Sequence, residues 1–209
     1  MNILVVSDTH GNQGAMREAI SRQGPFDCLI HLGDGVKDVM AVAGELGIPF
    51  HGVCGNEDFD VAAPETLRLV LGSWTFFLMH GHQLDINAYQ SRQVWEGHLA
   101  AMADLARKKE AQVFLFGHSH RPLLVEVNGT VIGNPGDQYI GSAMPPSFAV
   151  IELTPDTLNI KILRQEREGD WVTLFEHEAH HSGIGTAPAK GNGPRQANIP
   201  QPKLKPGSP

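Results

Sequence analysis

The chain has 209 residues, 41% of them hydrophobic, with a formal net charge of -7. That length favours one domain with enough chain for a sizeable core. The acidic balance argues against a general binder of extended nucleic acid or of anionic membrane, which would carry a basic face. "MNILVVSDTH" has no cationic start, and its apolar run from Ile3 to Val6 meets Asp8 at once. No signal peptide is therefore expected, no stretch approaches the roughly 18 apolar residues of a membrane span, and a cytoplasmic location follows. Cys28 and Cys54 are expected as free thiols.

Ile3 to Ser7 reads as a buried strand, a short apolar run rich in Val and Ile and bounded by polar turn residues. Asn12 to Arg22 has helical spacing, with Ala15, Ala19 and Ile20 apolar and Asn12 as N-cap. Asp27 to Leu32 is a second buried strand. Val36 to Leu46 is a helix whose inward face is Val36, Val39, Met40, Ala43 and Leu46, and Ile48 to Val53 is a third strand. This alternation implies parallel strands joined by helical crossovers, a layout in which ligands sit beyond the carboxyl ends of the strands.

Thr66 to Leu71 and Thr75 to Met79, separated by "GSW", read as an antiparallel hairpin. Asp85 to Lys109 is helix-compatible, with Val94, Leu99, Met102 and Leu105 apolar, and Val113 to Phe116 is another buried strand. Leu123 to Val127 and Thr130 to Ile132 flank Asn128-Gly129, a strong hairpin signal. Ser147 to Leu153 and Thr157 to Leu163 form a further hairpin, and Trp171 to Phe175 adds a strand. The expected domain is 1–179. From 180 to 209 the composition turns to Gly, Pro, Ala, Lys and Asn without a periodic apolar face, which predicts a disordered tail. His177, His180 and His181 stand at its start and read as solvated surface.

One pattern runs through the strands. Asp8 and His10 in "VVSDTHGN", Asp34 in "IHLGDG", Asn56 in "VCGNED", His80 in "FLMHGH", and His118 and His120 in "FLFGHSH" all fall just after an apolar run. If the strand continued through "GHSH", His118 and His120 would point to one side and could share an ion, because side chains alternate with period two. An isolated Asp after a strand is commonly a helix cap and an isolated histidine a satisfied polar group. Seven such groups on one rim are another matter. Two carboxylates, one amide and four imidazoles suit borderline ions such as manganese, iron, zinc or nickel better than calcium or magnesium. Seven ligands also exceed one tetrahedral site and suit two metals.

The five blocks "SDTHGN", "GDG", "GNED", "HGH" and "GHSH", from Met1 to about Leu163, resemble the calcineurin-like metallophosphoesterase superfamily. The compact length and the "GNPG...SFAVIEL" ending resemble its small bacterial and archaeal phosphodiesterase branch. The resemblance implies an α/β fold, a four-layer αββα sandwich. It implies that Asp8, His10 and His120 hold one divalent ion, that Asn56, His80 and His118 hold a second, and that Asp34 bridges them. Manganese is the first expectation, with nickel, iron and zinc as alternatives. The activity implied is hydrolysis of a small phosphodiester or nucleotide, with two metals about 3.5–4 Å apart clamping the phosphate and activating a bridging water for in-line attack. Asn56 would also orient the phosphate.

The chain departs from the pattern in two places. Where many members carry "GNHD", with a histidine that protonates the leaving oxygen, this chain has Glu57 in "GNED". A carboxylate is ionised near neutrality and is a poor proton donor unless its surroundings change that, so catalysis would weaken toward poor leaving groups. Asp137 stands where the family's "NPGS" has serine. Asp58 either orients Glu57 or caps the next segment, Arg121 reads equally as a phosphate contact or as plain surface, and His82 lies behind the ligand His80. A eukaryotic retromer subunit resembles this family and is read as a scaffold. A non-catalytic regulatory protein that keeps the metal-site fold is thus the alternative, and its sign would be lost ligands.

Overall fold

Strand alternation sets the layering. In β1 (Asn2–Val6), Ile3 and Val5 enter one core while Leu4 and Val6 enter another, as the two-residue period of a strand requires. The computed structural model describes residues 1–166 and 170–181, and the region expected as a tail from 182 onward lies outside the described residues. β1 leads through α1 (Gln13–Gln23) to β2 (Cys28–His31) and through α2 (Val36–Leu46) to β3 (Phe50–Gly52), the three strands running parallel. The hairpin of β4 (Thr66–Leu71) and β5 (Trp74–Met79) follows. A single 3-10 turn (His82–Leu84) then leads to α3 (Arg92–Lys108) and β6 (Val113–Leu115). The chain closes with β7 (Leu123–Val127), β8 (Thr130–Asn134), β9 (Ser147–Leu153), β10 (Thr157–Gln165) and β11 (Trp171–His180).

The described strands form a six-stranded sheet, β11-β10-β9-β1-β2-β3, and a five-stranded sheet, β4-β5-β6-β8-β7. Ile3, Val5, Ile30, Trp74, Phe76, Leu78, Leu115 and Ile160 fill the space between them. Leu4, Val6, Leu29 and Phe148 face Met16, Ala19, Val39 and Val42 of α1 and α2. Phe77, Phe114, Phe116 and Ile132 face Trp95, Leu99 and Met102 of α3. The result is the four-layer α/β sandwich, helix, sheet, sheet, helix. Parallel pairing of β1, β2 and β3 in one sheet, and of β5, β6 and β8 in the other, collects the loops after β1, β2, β3, β5 and β6 at one rim.

Several local expectations change. The helix expected from Asp85 begins only at Arg92, capped by Ser91 Oγ, which accepts from Val94 N at 3.4 Å. Asp85 takes a left-handed φ of 52° that ends the 3-10 turn instead. Val94 therefore faces solvent and Trp95 takes the buried position. On α2, Met40 and Leu46 are exposed, while Asp38 and Val42 are buried. β11 runs five residues past Phe175, because β10 offers partners along its full length, out to the pairing of Thr157 with His180. Polar residues are tolerated there since β11 is an edge strand with one covered side, on which Phe175 and Ala179 pack against the inter-sheet core. The thiols of Cys28 and Cys54 are free.

Candidate metal centre

The rim is built from strained turns. Asp8, His10, Asp34, His118 and His120 all have positive φ, at 53°, 44°, 55°, 63° and 56°, a region non-glycine residues enter uncommonly and in which five on one rim mark a cluster of tight turns. Two glycines let these turns close on one another. A Cβ at Gly117 would overlap Ser7 Oγ and sit 2.8 Å from Asp8 Oδ2, and one at Gly55 would overlap Asp34 Oδ1. The period-two expectation for "GHSH" fails for the same reason. β6 ends at Leu115, and two left-handed residues turn the imidazoles apart. His120 joins Asp8 and His10, whereas His118 joins Asp34 and His80, the ligand atoms of each set lying within 4.8 Å of one another.

Each donor is oriented by a neighbour. Asp8 Oδ2 accepts from Ser7 Oγ at 2.5 Å and from His118 N at 3.1 Å, which leaves Oδ1 facing His120 Nε2 at 3.2 Å and His80 Nε2 at 3.8 Å. His80 Nδ1 donates to Leu32 O at 2.7 Å, so Nε2 carries the lone pair and points at Asp34 Oδ2, 3.2 Å away. Such a bond on the remote nitrogen is how metal-binding histidines have their tautomer set. Asp34 Oδ1 accepts Glu57 N at 2.8 Å. Asp34 also belongs to a third set with His10 and Glu57, so its carboxylate reaches ligand atoms on both sides.

Asp58 holds this arrangement together. Its carboxylate accepts from Asp34 N at 2.7 Å and from Gly35 N, Val36 N and Gly55 N at 2.9 Å each. It caps α2, whose own N-cap, Gly35, has no side chain to do so. The helix it caps begins 22 residues earlier in the chain and is not the segment that follows. Burial pushes Asp58 upward, but these four N–H groups outweigh it and hold the carboxyl below its ordinary range. Asp34 is likewise raised by burial and lowered further by His80, the Glu57 N–H and His10, with a net lowering. For His80, burial pulls down while Asp34, Asp8 and the Leu32 carbonyl raise it, and the raising groups win. His118 is lowered, chiefly by burial.

Other residues gain roles that local sequence did not indicate. Asp137, just beyond β8 and 1% exposed, lies 2.8 Å from His120 Nδ1 through Oδ2, though neither of its oxygens meets hydrogen-bond angles. Asp137 first and Asp8 second raise the pKa of His120. His31, fully buried, accepts Gly33 N on Nδ1 at 3.1 Å, which makes Nε2 the protonated nitrogen, 3.2 Å from Thr9 Oγ1. Thr9 then donates to Asp38 Oδ2 at 2.6 Å, and Gly11 N donates to the same oxygen at 2.8 Å. That chain ties the loop carrying His10 to the first turn of α2.

The remaining candidates sort by position. Asn56 is exposed in the turn next to Glu57. Glu57 Oε2 is 3.3 Å from His10 Nδ1, with the side chain 61% exposed. His82 lies behind the cluster, its ring 5.5 Å from that of His80 and 6.1 Å from that of His118. Arg121 stacks over Tyr89, 5.4 Å from the ring centre, and is absent from the pocket wall. His177, His180 and His181 have separate partners in Glu126, Glu178 and the Ser73 carbonyl. The pocket beside the cluster, about 640 Å³, contains His10, Asp34, Glu57 and His120 in its wall, with Lys37 its sole Lys or Arg.

The residues fit divalent metal. Asp8 Oδ1, His10 Nε2 and His80 Nε2 are buried polar atoms without a hydrogen-bond partner, and Asp8 Oδ1 and His80 Nε2 face each other across the cluster at 3.8 Å. An unpaired buried polar atom costs about 1–3 kcal/mol, a cost that a cation held between the carboxylates and imidazoles would relieve. Residues 1–156 match the model of the calcineurin-like phosphoesterase superfamily domain. A probable metallophosphoesterase, YsnB, of Bacillus subtilis is 28% identical over 172 residues, covering 79% of this chain and 92% of its own. A wild-type Vps29 from Entamoeba histolytica, solved with zinc, superposes with a TM-score of 0.64 at 22% identity, over 86% of this chain and 99% of that one. An archaeal phosphodiesterase superposes with a TM-score of 0.56 at 19% identity, over 83% of this chain and all of its own. The strand-end cluster of candidate donors, the layered sandwich and the family match lead to one conclusion: this chain belongs to the calcineurin-like phosphoesterase superfamily.

Proposed function

We propose that the protein is a metal-dependent phosphodiesterase acting on small phosphodiesters or nucleotides at a pair of divalent ions, manganese before nickel, iron or zinc. The observation that carries this reading is the gathering of Asp8, His10 and His120 into one set of possible ligands and of Asp34, His80 and His118 into a second, with Asp34 also in a set with His10 and Glu57. Asp8, His10 and His120 would hold one ion, Asn56, His80 and His118 the other, and Asp34 both. When bound, two such ions supply charge neutralisation on the phosphate and an activated water. In hydrolysis the water oxygen forms a bond to phosphorus as the ester P–O bond breaks, and one proton ends on the leaving oxygen. Asn56, in the turn that abuts Asp34, would also orient the phosphate. By the resemblance, Glu57 takes the position of the family's proton-donating histidine, and a carboxylate there would serve that step poorly.

The four carboxylates of the wall, Asp34, Asp38, Glu57 and Asp58, outnumber the one lysine. A phosphate is therefore repelled until cations are loaded. With the net charge of -7, this favours a small substrate over extended nucleic acid. Among the described residues no helix is long and apolar enough to cross a membrane, and we read the protein as cytoplasmic. The second reading, a non-catalytic scaffold, draws on Glu57 at the proton-donor position. Metal-stripped protein reloaded separately with Mn, Ni, Zn and Mg, and assayed on bis(p-nitrophenyl) phosphate, separates the two. Turnover restored by Mn supports the enzyme, whereas stoichiometric metal binding without turnover for any ion favours the scaffold.

A further inference from the structure

The pocket is larger than a phosphate needs. About 640 Å³ lies open beside the cluster, within the range of roughly 300–1,000 Å³ that takes ligands of drug or nucleotide size. Its wall includes His10, Asp34 and His120 of the cluster and also Phe59, Val61 and Tyr139. Phe59 is 71% exposed and Tyr139 42%. A single exposed apolar side chain needs no explanation. Two aromatic rings and a valine on the same pocket, next to groups suited to a phosphate, are a different matter.

Both rings are held on anchored backbone. Phe59 follows Asp58, whose carboxylate is bonded to four backbone N–H groups, and Phe59 N donates to Glu57 O at 3.2 Å. The Tyr139 ring lies 4.9 Å from that of His10 at an interplanar angle of 57°. Gly141 leaves it room, since a Cβ there would come within 2.5 Å of Tyr139 Cζ. Gln138 N, just before Tyr139, donates to the carbonyl of Asp8 at 3.2 Å. The backbone beneath both rings therefore needs little further ordering on binding, and every nucleobase has a π-face to meet them.

We propose that Phe59 and Tyr139 form a stacking subsite for a planar aromatic group on the retained side of the diester, a nucleobase or an aryl ring. This rests on the phosphodiesterase reading and specifies its substrate class. Stacking of one base shifts an equilibrium by about 5- to 150-fold, so aromatic diesters are selected over alkyl diesters by that order.

Two esters with one leaving group isolate the effect: thymidine 5′-(p-nitrophenyl) phosphate and methyl p-nitrophenyl phosphate, assayed with Mn-loaded protein. The expected wild-type ratio of kcat/KM is at least about 5 in favour of the thymidine ester. Phe59→Ala and Tyr139→Ala should each bring the ratio toward 1, mainly through KM, while Phe59→Trp keeps it. In parallel, thymidine 5′-monophosphate and methyl phosphate are titrated calorimetrically into the same Mn-loaded protein, with metal content measured for each variant. Turnover of both esters at a ratio near 1, or a high ratio unchanged in both alanine variants, overturns the subsite. Absence of turnover on either ester overturns the phosphodiesterase reading instead. In that case tighter binding of thymidine monophosphate, lost in Phe59→Ala, still supports the subsite, and equal binding of the two ligands rejects it.

Discussion

Replacing Asp58 tests how the fold holds the metal centre. Asp58→Ala removes the acceptor for four backbone N–H groups, those of Asp34, Gly35, Val36 and Gly55, now bonded at 2.7–2.9 Å. A hydrogen bond to a charged group contributes about 1.5–3 kcal/mol. The site is only part-buried, so water replaces part of the loss, and about 3–5 kcal/mol of destabilisation is expected, a large share of the stability of a domain this size. Asp58→Asn keeps one oxygen but turns an amide NH₂ toward the other donors, for about 2–3 kcal/mol. Because the folded-state pKa is depressed, this contribution is complete at neutral pH and is lost only as pH falls through the acidic range below the ordinary carboxylate value. Urea unfolding of metal-free wild type and variants at pH 7 gives the comparison, with the m-value checked for constancy. A loss below 1 kcal/mol in Asp58→Ala would show that the four bonds are dispensable and that the Asp34 turn is held by something else.

Asp34→Asn should remove more bound metal and more activity than any single histidine variant, since Asp34 reaches both ligand sets; retention of wild-type metal content, measured by elemental analysis, would refute the shared role. Glu57→His should speed alkyl esters selectively, because a proton donor matters most when the leaving oxygen is basic. Rates across esters of graded leaving-group pKa should show a steep dependence in wild type that flattens in the variant, and equal slopes would dismiss the missing-acid argument. Burial lowers the pKa of His31 to about 4, so the folded state resists a proton that the unfolded chain takes up near 6.5. Stability should fall by about 3 kcal/mol between pH 6.5 and 4 on this account. His31→Gln in the metal-free protein should have a shallower pH slope over that interval, and identical slopes would mean His31 does not titrate as described.

How far the sequence reaches is clearest in particular residues. Each candidate ligand is announced locally by an apolar run that ends in a polar turn, so Asp8, Asp34, His80 and the "GHSH" pair were legible as strand-end groups. The helix bounds of α2 and the Asn128-Gly129 hairpin follow from equally short-range rules, with φ of 51° and 77° at the turn. The division of His118 from His120 was not readable from alternation, since the strand stops at Leu115 and left-handed turns take over. Asp58 capping a helix 22 residues earlier, Asp137 meeting His120 across 17 residues, and Asp38 reaching Thr9 across 29 are contacts between loops of different strands. So is the pocket wall that brings Phe59, Lys37 and Tyr139 together. The extent of β11 likewise depended on a partner, as its polar half has no pattern of its own and is ordered by the backbone of β10. Local apolar patterning and turn chemistry determine where elements start and stop, because they act within a few residues. Which side chains then face one another depends on how two sheets with parallel strands pack, and only the tertiary structure, which brings those distant loops to a single rim, decided that.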